Sequence, residues 1–204
     1  MRHAAALALL TVAAVALSLP STAQRGGYQI SEIVTIAQDL GKQLECPEEK
    51  IGSLLTNLKK AVEDDSFKTE AAKRNVTGVF VYRAAEAGLL LKILRGHGLV
   101  TFRNGRKAGE FTVRSTSFGA HVGGSAEWCI GLVLGLTDQA KFGGDYSGRM
   151  RRATAIDSNS ADAVIFTPSA SPEGAETHQI FLVVSGRGLS AGTGGAKLTI
   201  TPAW

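Results

Sequence analysis

Apolar residues fall in three rhythms along this 204-residue chain. Residues 4–19 form an apolar stretch dominated by Ala, Leu and Val, ended by Pro20. Between residues 30 and 64 the pattern changes to steps of three and four. Ile30, Ile33, Val34, Ala37, Leu40 and Leu44 fall on one face of an amphipathic helix over residues 30–44. Pro47, with Glu48 and Glu49 behind it, restarts the chain: proline suits a first helical position, and acids in the first turn face the positive end of the helix dipole. Ile51, Leu54, Leu55, Leu58 and Val62 carry the same spacing to about residue 64, and a short third helix is predicted over 66–74.

From residue 76 the rhythm becomes that of strands. Residues 76–83 are β-branched and aromatic, and a second strand is expected over 88–94. Residues 97–103 and 110–115 flank Asn104-Gly105, the strongest hairpin signal in the chain. Further strands are predicted over 117–123, 127–135, 147–155, 161–167, 178–184 and 196–202, with one helical turn over 137–142 and a polar loop over 168–176. Of the 24 glycines, only four precede residue 78, as befits a change from helices to turns and bulges. Helices first and many short strands afterwards define an α+β fold. The expected architecture is a set of N-terminal amphipathic helices packed on a curved, mainly antiparallel β-sheet or partial barrel. It forms a single domain over 24–204, helical over about 30–74 and β-rich over about 76–202.

Composition refines this picture at the start of the chain. Arg2 and His3 precede the apolar stretch, and Ser21-Thr22-Ala23 places small residues before Gln24, the arrangement of a cleavable signal peptide over 1–23. The stretch falls short of the roughly 20 apolar residues that span a bilayer as a helix. The expectation is an exported protein, periplasmic or secreted. Its net charge of +4 is too mild to suggest a nucleic-acid partner, which needs clustered cations to displace many counterions. Cys46 and Cys129 would mature where disulfides persist. A bridge between them is one option. Two separately buried thiols are the preferred one, because Cys129 lies within an apolar run.

The β-rich half also carries an ordered series of short signatures. Gly78-Val79-Phe80-Val81-Tyr82 is followed by Ala87-Gly88-Leu89 and by Gly96-His97-Gly98-Leu99-Val100. Next come Ser117-Phe118-Gly119-Ala120-His121-Val122-Gly123-Gly124, then Leu136-Thr137-Asp138, then Ser185-Gly186-Arg187-Gly188-Leu189-Ser190-Ala191-Gly192. In this order and spacing they resemble the SYLF domain, over roughly residues 50–202. SYLF domains bind lipid, and fungal members also regulate actin; this chain is similar to the exported, single-domain bacterial branch. The resemblance implies a non-catalytic protein that binds acidic phospholipids through peripheral membrane contact at an envelope surface, with no cofactor. A protein-interaction module of the actin-binding kind is the alternative, with its protein partner unknown.

The same resemblance points to the cations ahead of the sheet as headgroup contacts: Lys59, Lys60, Lys68, Lys73 and Arg74. Glu63, Asp64, Asp65 and Glu70 are interspersed, so a charge-balanced, solvated helix face is the competing reading. A second candidate comes from the residues alone. Arg149-Met150-Arg151-Arg152 on a loop would let three guanidiniums converge on one phosphate. On a strand, Arg149 and Arg151 would share one face, and the run would serve as the charged guard of an exposed edge. Enzyme readings find little support. His97, His121 and His178 lack the spacing of a metal site, and no nucleophile elbow is present. Gly186 to Ala191 fits a dinucleotide fingerprint formally, but too little chain follows for a βαβ unit. Gly119, Gly123, Gly124, Gly131 and Gly135 either thin the sheet for a lipid chain or simply let it curve, and curvature is the preferred reading.

Overall fold

The computed structural model describes residues 27–87, 91–105, 108–118, 126–151, 162–170, 177–184 and 196–204. The helices form where the periodicity places them. Helix α1 (Ile30–Gln43) starts as the Glu32 carboxylate accepts a hydrogen bond from the Gln29 backbone N–H at 2.7 Å. Its face of Ile33, Ala37 and Leu40 is buried. Helix α2 (Glu48–Glu63) begins behind Pro47, and α3 (Asp65–Lys73) follows after one residue. Phe67 of α3 meets Phe181 edge-on with ring centroids 4.8 Å apart.

The strands are β1 (Val76–Ala87), β2 (Leu91–Phe102), β3 (Gly109–Phe118), β4 (Ala126–Leu134), β5 (Gly144–Arg151), β6 (Asp162–Pro168), β7 (Gln179–Val184) and β8 (Ala196–Pro202). They pair in the order β1-β2-β3-β8-β5-β6-β7-β4, with β4 returning to β1, so the sheet is a fully closed antiparallel barrel. The expected partial barrel is therefore complete, and its strands have no free edge. A short 3-10 turn at Gln139–Phe142 stands where one helical turn was predicted.

Two boundaries differ from the sequence reading: β3 runs unbroken from Gly109 to Phe118, where strands were expected over 110–115 and 117–123. Two strands were expected over 88–94 and 97–103, yet β2 runs unbroken from Leu91 to Phe102. Gly96 and Gly98 are strand residues because β1 comes too close for a side chain. A Cβ at Gly96 would lie 2.3 Å from the Arg83 carbonyl oxygen, and one at Gly98 would lie 2.4 Å from that of Val81. The predicted signal peptide, the Gly88-Leu89 pair, the stretch 119–125 with His121, the end of the strand expected over 147–155, and the run 185–195 lie outside the described residues.

Strand alternation builds two cores separated by the barrel wall. Outward side chains such as Val79, Val81, Ile130, Leu132 and Val183 pack under the helices. Inward ones, among them Phe80, Phe111, Tyr146 and Phe166, fill the barrel. Phe142, carried by the 3-10 turn, inserts against Phe102, Phe111 and Phe80 at centroid distances of 5.3, 5.5 and 5.9 Å. Each such ring contributes about 1.5–3 kcal/mol by leaving water. The wall also decides the cysteine question. Cys46 is buried on the helix side and Cys129 inside the barrel, so the optional bridge between them is not formed and the thiols are separate.

Candidate anion-binding surface

Helix α1 lies on β1, and α2 lies on β4 and β7. The outer wall of β3, β8 and β5 has no described helix over it, and its outward residues Thr112, Arg114, Ser147, Lys197 and Thr201 are exposed. Register then fixes which outward residues are neighbours. Arg95 of β2 stands directly opposite Arg114 of β3. On their flanks are Ala85 of β1 beside Arg95 and Thr199 of β8 beside Arg114. One step along the wall, Arg83 of β1 is opposite His97, and on the other side Lys197 of β8 lies between Thr116 and Ser147.

Arg83, Arg95, His97, Arg114 and Lys197 are all exposed, and none forms a salt bridge among the described residues. Like charges directly opposite one another destabilise a sheet. Nothing described on the protein offsets that cost for Arg95 and Arg114. The carboxylate ending their row is Asp145, two strands or about 10 Å from Arg114. It accepts a hydrogen bond from the Thr199 hydroxyl at 2.7 Å. Arg83 leans the other way, its guanidinium 5.8 Å from the Trp128 ring centre on β4.

The sites read from the sequence divide. On α3, Lys68 lies 3.8 Å from Asp65 in an exposed pair that stabilises little, and Lys73 lies 3.7 Å from the largely covered Glu70. Arg74 has an internal task. It bridges Glu70 at 2.8 Å, donates from Nε to the Thr177 carbonyl at 2.9 Å, and packs over Gly135, whose φ of +73° makes the turn leaving β4. Lys59 and Lys60 are exposed on α2 and form no salt bridge among the described residues. Arg149 and Arg151 belong to β5, opposite Ile165 and Ala163 of β6, and continue along that strand beyond Ser147. The convergent loop of three arginines is thus not the arrangement of these two. Along this run β5 pairs with β6, whereas its described pairing with β8 ends at Gly148. Arg152 lies outside the described residues.

The glycines resolve in favour of packing. The space a side chain would take at Gly131 is filled by the Phe80 ring, with Cζ 1.9 Å from an added Cβ. Gly119, Gly123 and Gly124 lie outside the described residues.

Another polar group lies deeper. The buried Tyr146 hydroxyl donates to the Phe142 carbonyl at 2.7 Å and sits 3.0 Å from His178 Nε2, which is left as the donor to the phenol oxygen. Burial pushes the Tyr146 phenol well above its ordinary range. Burial, and then Lys141, push His178 below 6.5. A neutral imidazole held this way braces the Tyr146 hydroxyl. Among the described residues, no three His, Cys, Asp or Glu side chains come together to hold a metal ion, and no helix is long and apolar enough to cross a membrane.

These features define a class: a closed eight-stranded antiparallel barrel with a packed interior, helices on one flank and cations on another. A solved structure shares the form. The crystal structure of a β-barrel-like, uncharacterised protein from Brucella abortus is similar to this chain with a TM-score of 0.50, at 16% identity, over 87% of this chain and 97% of that one. At such identity the likeness concerns the fold. No family model matches the chain, and no curated protein matches it.

Proposed function

We propose that the protein binds acidic phospholipid at a membrane or envelope surface, as a peripheral and non-catalytic component. The observation that carries this reading is the outer wall around Arg95 and Arg114, where exposed cations stand together; the described carboxylates on the same face, Glu110 four residues from Arg114 along β3 and Asp145 two strands away, form no salt bridge with them among the described residues. The resemblance to SYLF domains supports it, and the exported branch of that family is the ground for proposing an envelope compartment. A cation near an anionic surface contributes about 1 kcal/mol, so Arg83, Arg95, Arg114 and Lys197 together supply about 4 kcal/mol, or about a thousandfold in affinity. Charged residues on the outside and aromatic rings inside suit a barrel that lies against a bilayer, since spanning barrels carry an apolar outer band.

Co-sedimentation with vesicles tests the reading. Vesicles of phosphatidylcholine containing phosphatidylglycerol should retain the protein at low salt, and retention should fall as the Debye length shrinks to about 10 Å near 0.1 M. Equal binding to neutral and anionic vesicles at low salt would refute it.

A further inference from the structure

We propose that Arg95 and Arg114 form a headgroup site selective for a phosphate monoester, so that the barrel prefers lipids ending in a terminal phosphate to those carrying only a phosphodiester. The proposal rests on the lipid-binding reading above and names the ligand class of that surface.

The register supplies the geometry. The two residues are Cα partners on adjacent strands, both are exposed, and their Cβ atoms are therefore about 5 Å apart on one face. Two planar guanidiniums rooted this closely can approach one phosphorus centre from two sides, each offering a fork of parallel donors. A phosphate monoester carries between one and two negative charges near neutral pH, with three oxygens open to donors. It can therefore accept from both forks and compensate both cations. A phosphodiester carries one charge and only two such oxygens, so it leaves one guanidinium under-compensated.

The surroundings leave the position to a ligand. Ala85 and Thr199 flank the row, and both are too short to fill the space above the pair. Asp145 is separated from Arg114 by the whole of β8 and is held by Thr199. Arg83, the next cation along the wall, is directed towards Trp128. The backbone beneath is fixed as well. Gly96, next to Arg95, lets β1 approach so closely that an added Cβ would strike the Arg83 carbonyl oxygen at 2.3 Å, and Val113, next to Arg114, is buried in the barrel core. Cations held on such a wall need little reordering on binding.

The test uses the chain from residue 24 onward and two sets of phosphatidylcholine vesicles, one doped with phosphatidic acid and one with phosphatidylglycerol, adjusted to equal zeta potential. The protein should bind the phosphatidic acid vesicles about tenfold more tightly, the equivalent of one additional charge-assisted contact. The double variant Arg95→Gln/Arg114→Gln should lose that preference and bind both sets alike. Lys42→Gln/Lys50→Gln, which removes the same charge from exposed positions on α1 and α2, should keep it. Circular dichroism melts of both variants verify that each is folded. If the unaltered protein binds the two anionic vesicles equally, the monoester site is wrong while lipid binding stands. If it binds neither better than plain phosphatidylcholine, both readings fall. A third arm titrates glycerol 3-phosphate without vesicles. An affinity matching that for phosphatidic acid vesicles would reassign the pair to a soluble phosphate and overturn the lipid source.

Discussion

Gly131→Ala is the sharpest probe of the barrel interior. The substitution adds one methyl group on the inward side of β4, at a point already filled by the Phe80 ring. The new Cβ would fall 1.9 Å from Phe80 Cζ and 2.3 Å from both Cε1 and Cε2. Displacing a ring is cheap only when it has somewhere to go, and Phe80 does not. It is fully buried, with Phe111 edge-on at 5.6 Å, Phe142 at 5.9 Å and Tyr82 at 6.2 Å. Either β4 shifts and carries its ladder to β1 and β7 with it, or Phe80 leaves its rotamer and disturbs three aromatic neighbours. Overpacking of this kind costs about 1–3 kcal/mol, and the enclosure here places the expectation near 3 kcal/mol. For a chain of this size that corresponds to a fall of roughly 6–12 °C in melting temperature.

Urea unfolding, followed by tryptophan fluorescence, measures the change directly. The double variant Gly131→Ala/Phe80→Leu should recover part of the loss, with a coupling energy of about 1 kcal/mol or more between two residues in contact. Gly52→Ala provides the opposite sign. Gly52 is exposed in α2, and an added Cβ there meets nothing within 4 Å. Glycine in a helix interior costs about 0.5–1 kcal/mol relative to alanine, so this variant should be stabilised by that amount. A Gly131→Ala protein as stable as the parent within about 0.5 kcal/mol, the scatter expected for a neutral surface change, would refute the filled barrel.

Two further outcomes follow from the same geometry. His178 is held below 6.5 in the folded protein, so its neutral form is favoured by folding and the unfolded chain binds the proton more readily. Its contribution is fully present above pH 6.5 and is lost as pH falls through that value towards the lower folded one. Replacing His178 by Gln should flatten the stability profile in this window only. The acid limb that begins below 4.5, where Glu32 loses the Gln29 N–H and Arg103 interactions that lower its carboxyl, should remain in the variant. Intact mass spectrometry of protein recovered from its own host should show cleavage after Ala23, and alkylation under denaturing conditions should add two labels without prior reduction. A mass two hydrogens lower, with no label taken up until reduction, would mean that Cys46 and Cys129 are bridged.

Much of the fold was legible because its signals are local. The three helices follow from Ile33, Ala37 and Leu40, from Pro47 ahead of Ile51 and Leu54, and from the short run behind Asp65. Strand positions followed from β-branched and aromatic runs. Barrel closure was not legible, since the pairing of β3 with β8 joins residues such as Phe111 and Pro202 from opposite ends of the β-rich half. Gly96 misled for a definite reason: glycine marks both breaks and close approaches, and only the position of β1 distinguishes the two. The local clusters of cations were visible, and their partners were not. Arg74 looked like its neighbours until Glu70 and the Thr177 carbonyl were brought to it.

The residues now carrying the functional argument had no local signature at all. Arg83, Arg95, Arg114 and Lys197 are spread over four strands, each a single cation among neutral neighbours. They become a surface through two long-range facts, the register that sets Arg95 against Arg114 and the inward glycines that keep β1 and β2 tightly apposed. The aromatic interior bears on the same point. Phe142 and its ring partners leave the barrel packed where a hollow barrel of the same strand number would hold a ligand. Under the proposed reading, recognition falls to the outer wall. On this molecule the helices already occupy the flank formed by β1, β4 and β7, while the wall running from β2 to β5 presents charge to whatever approaches.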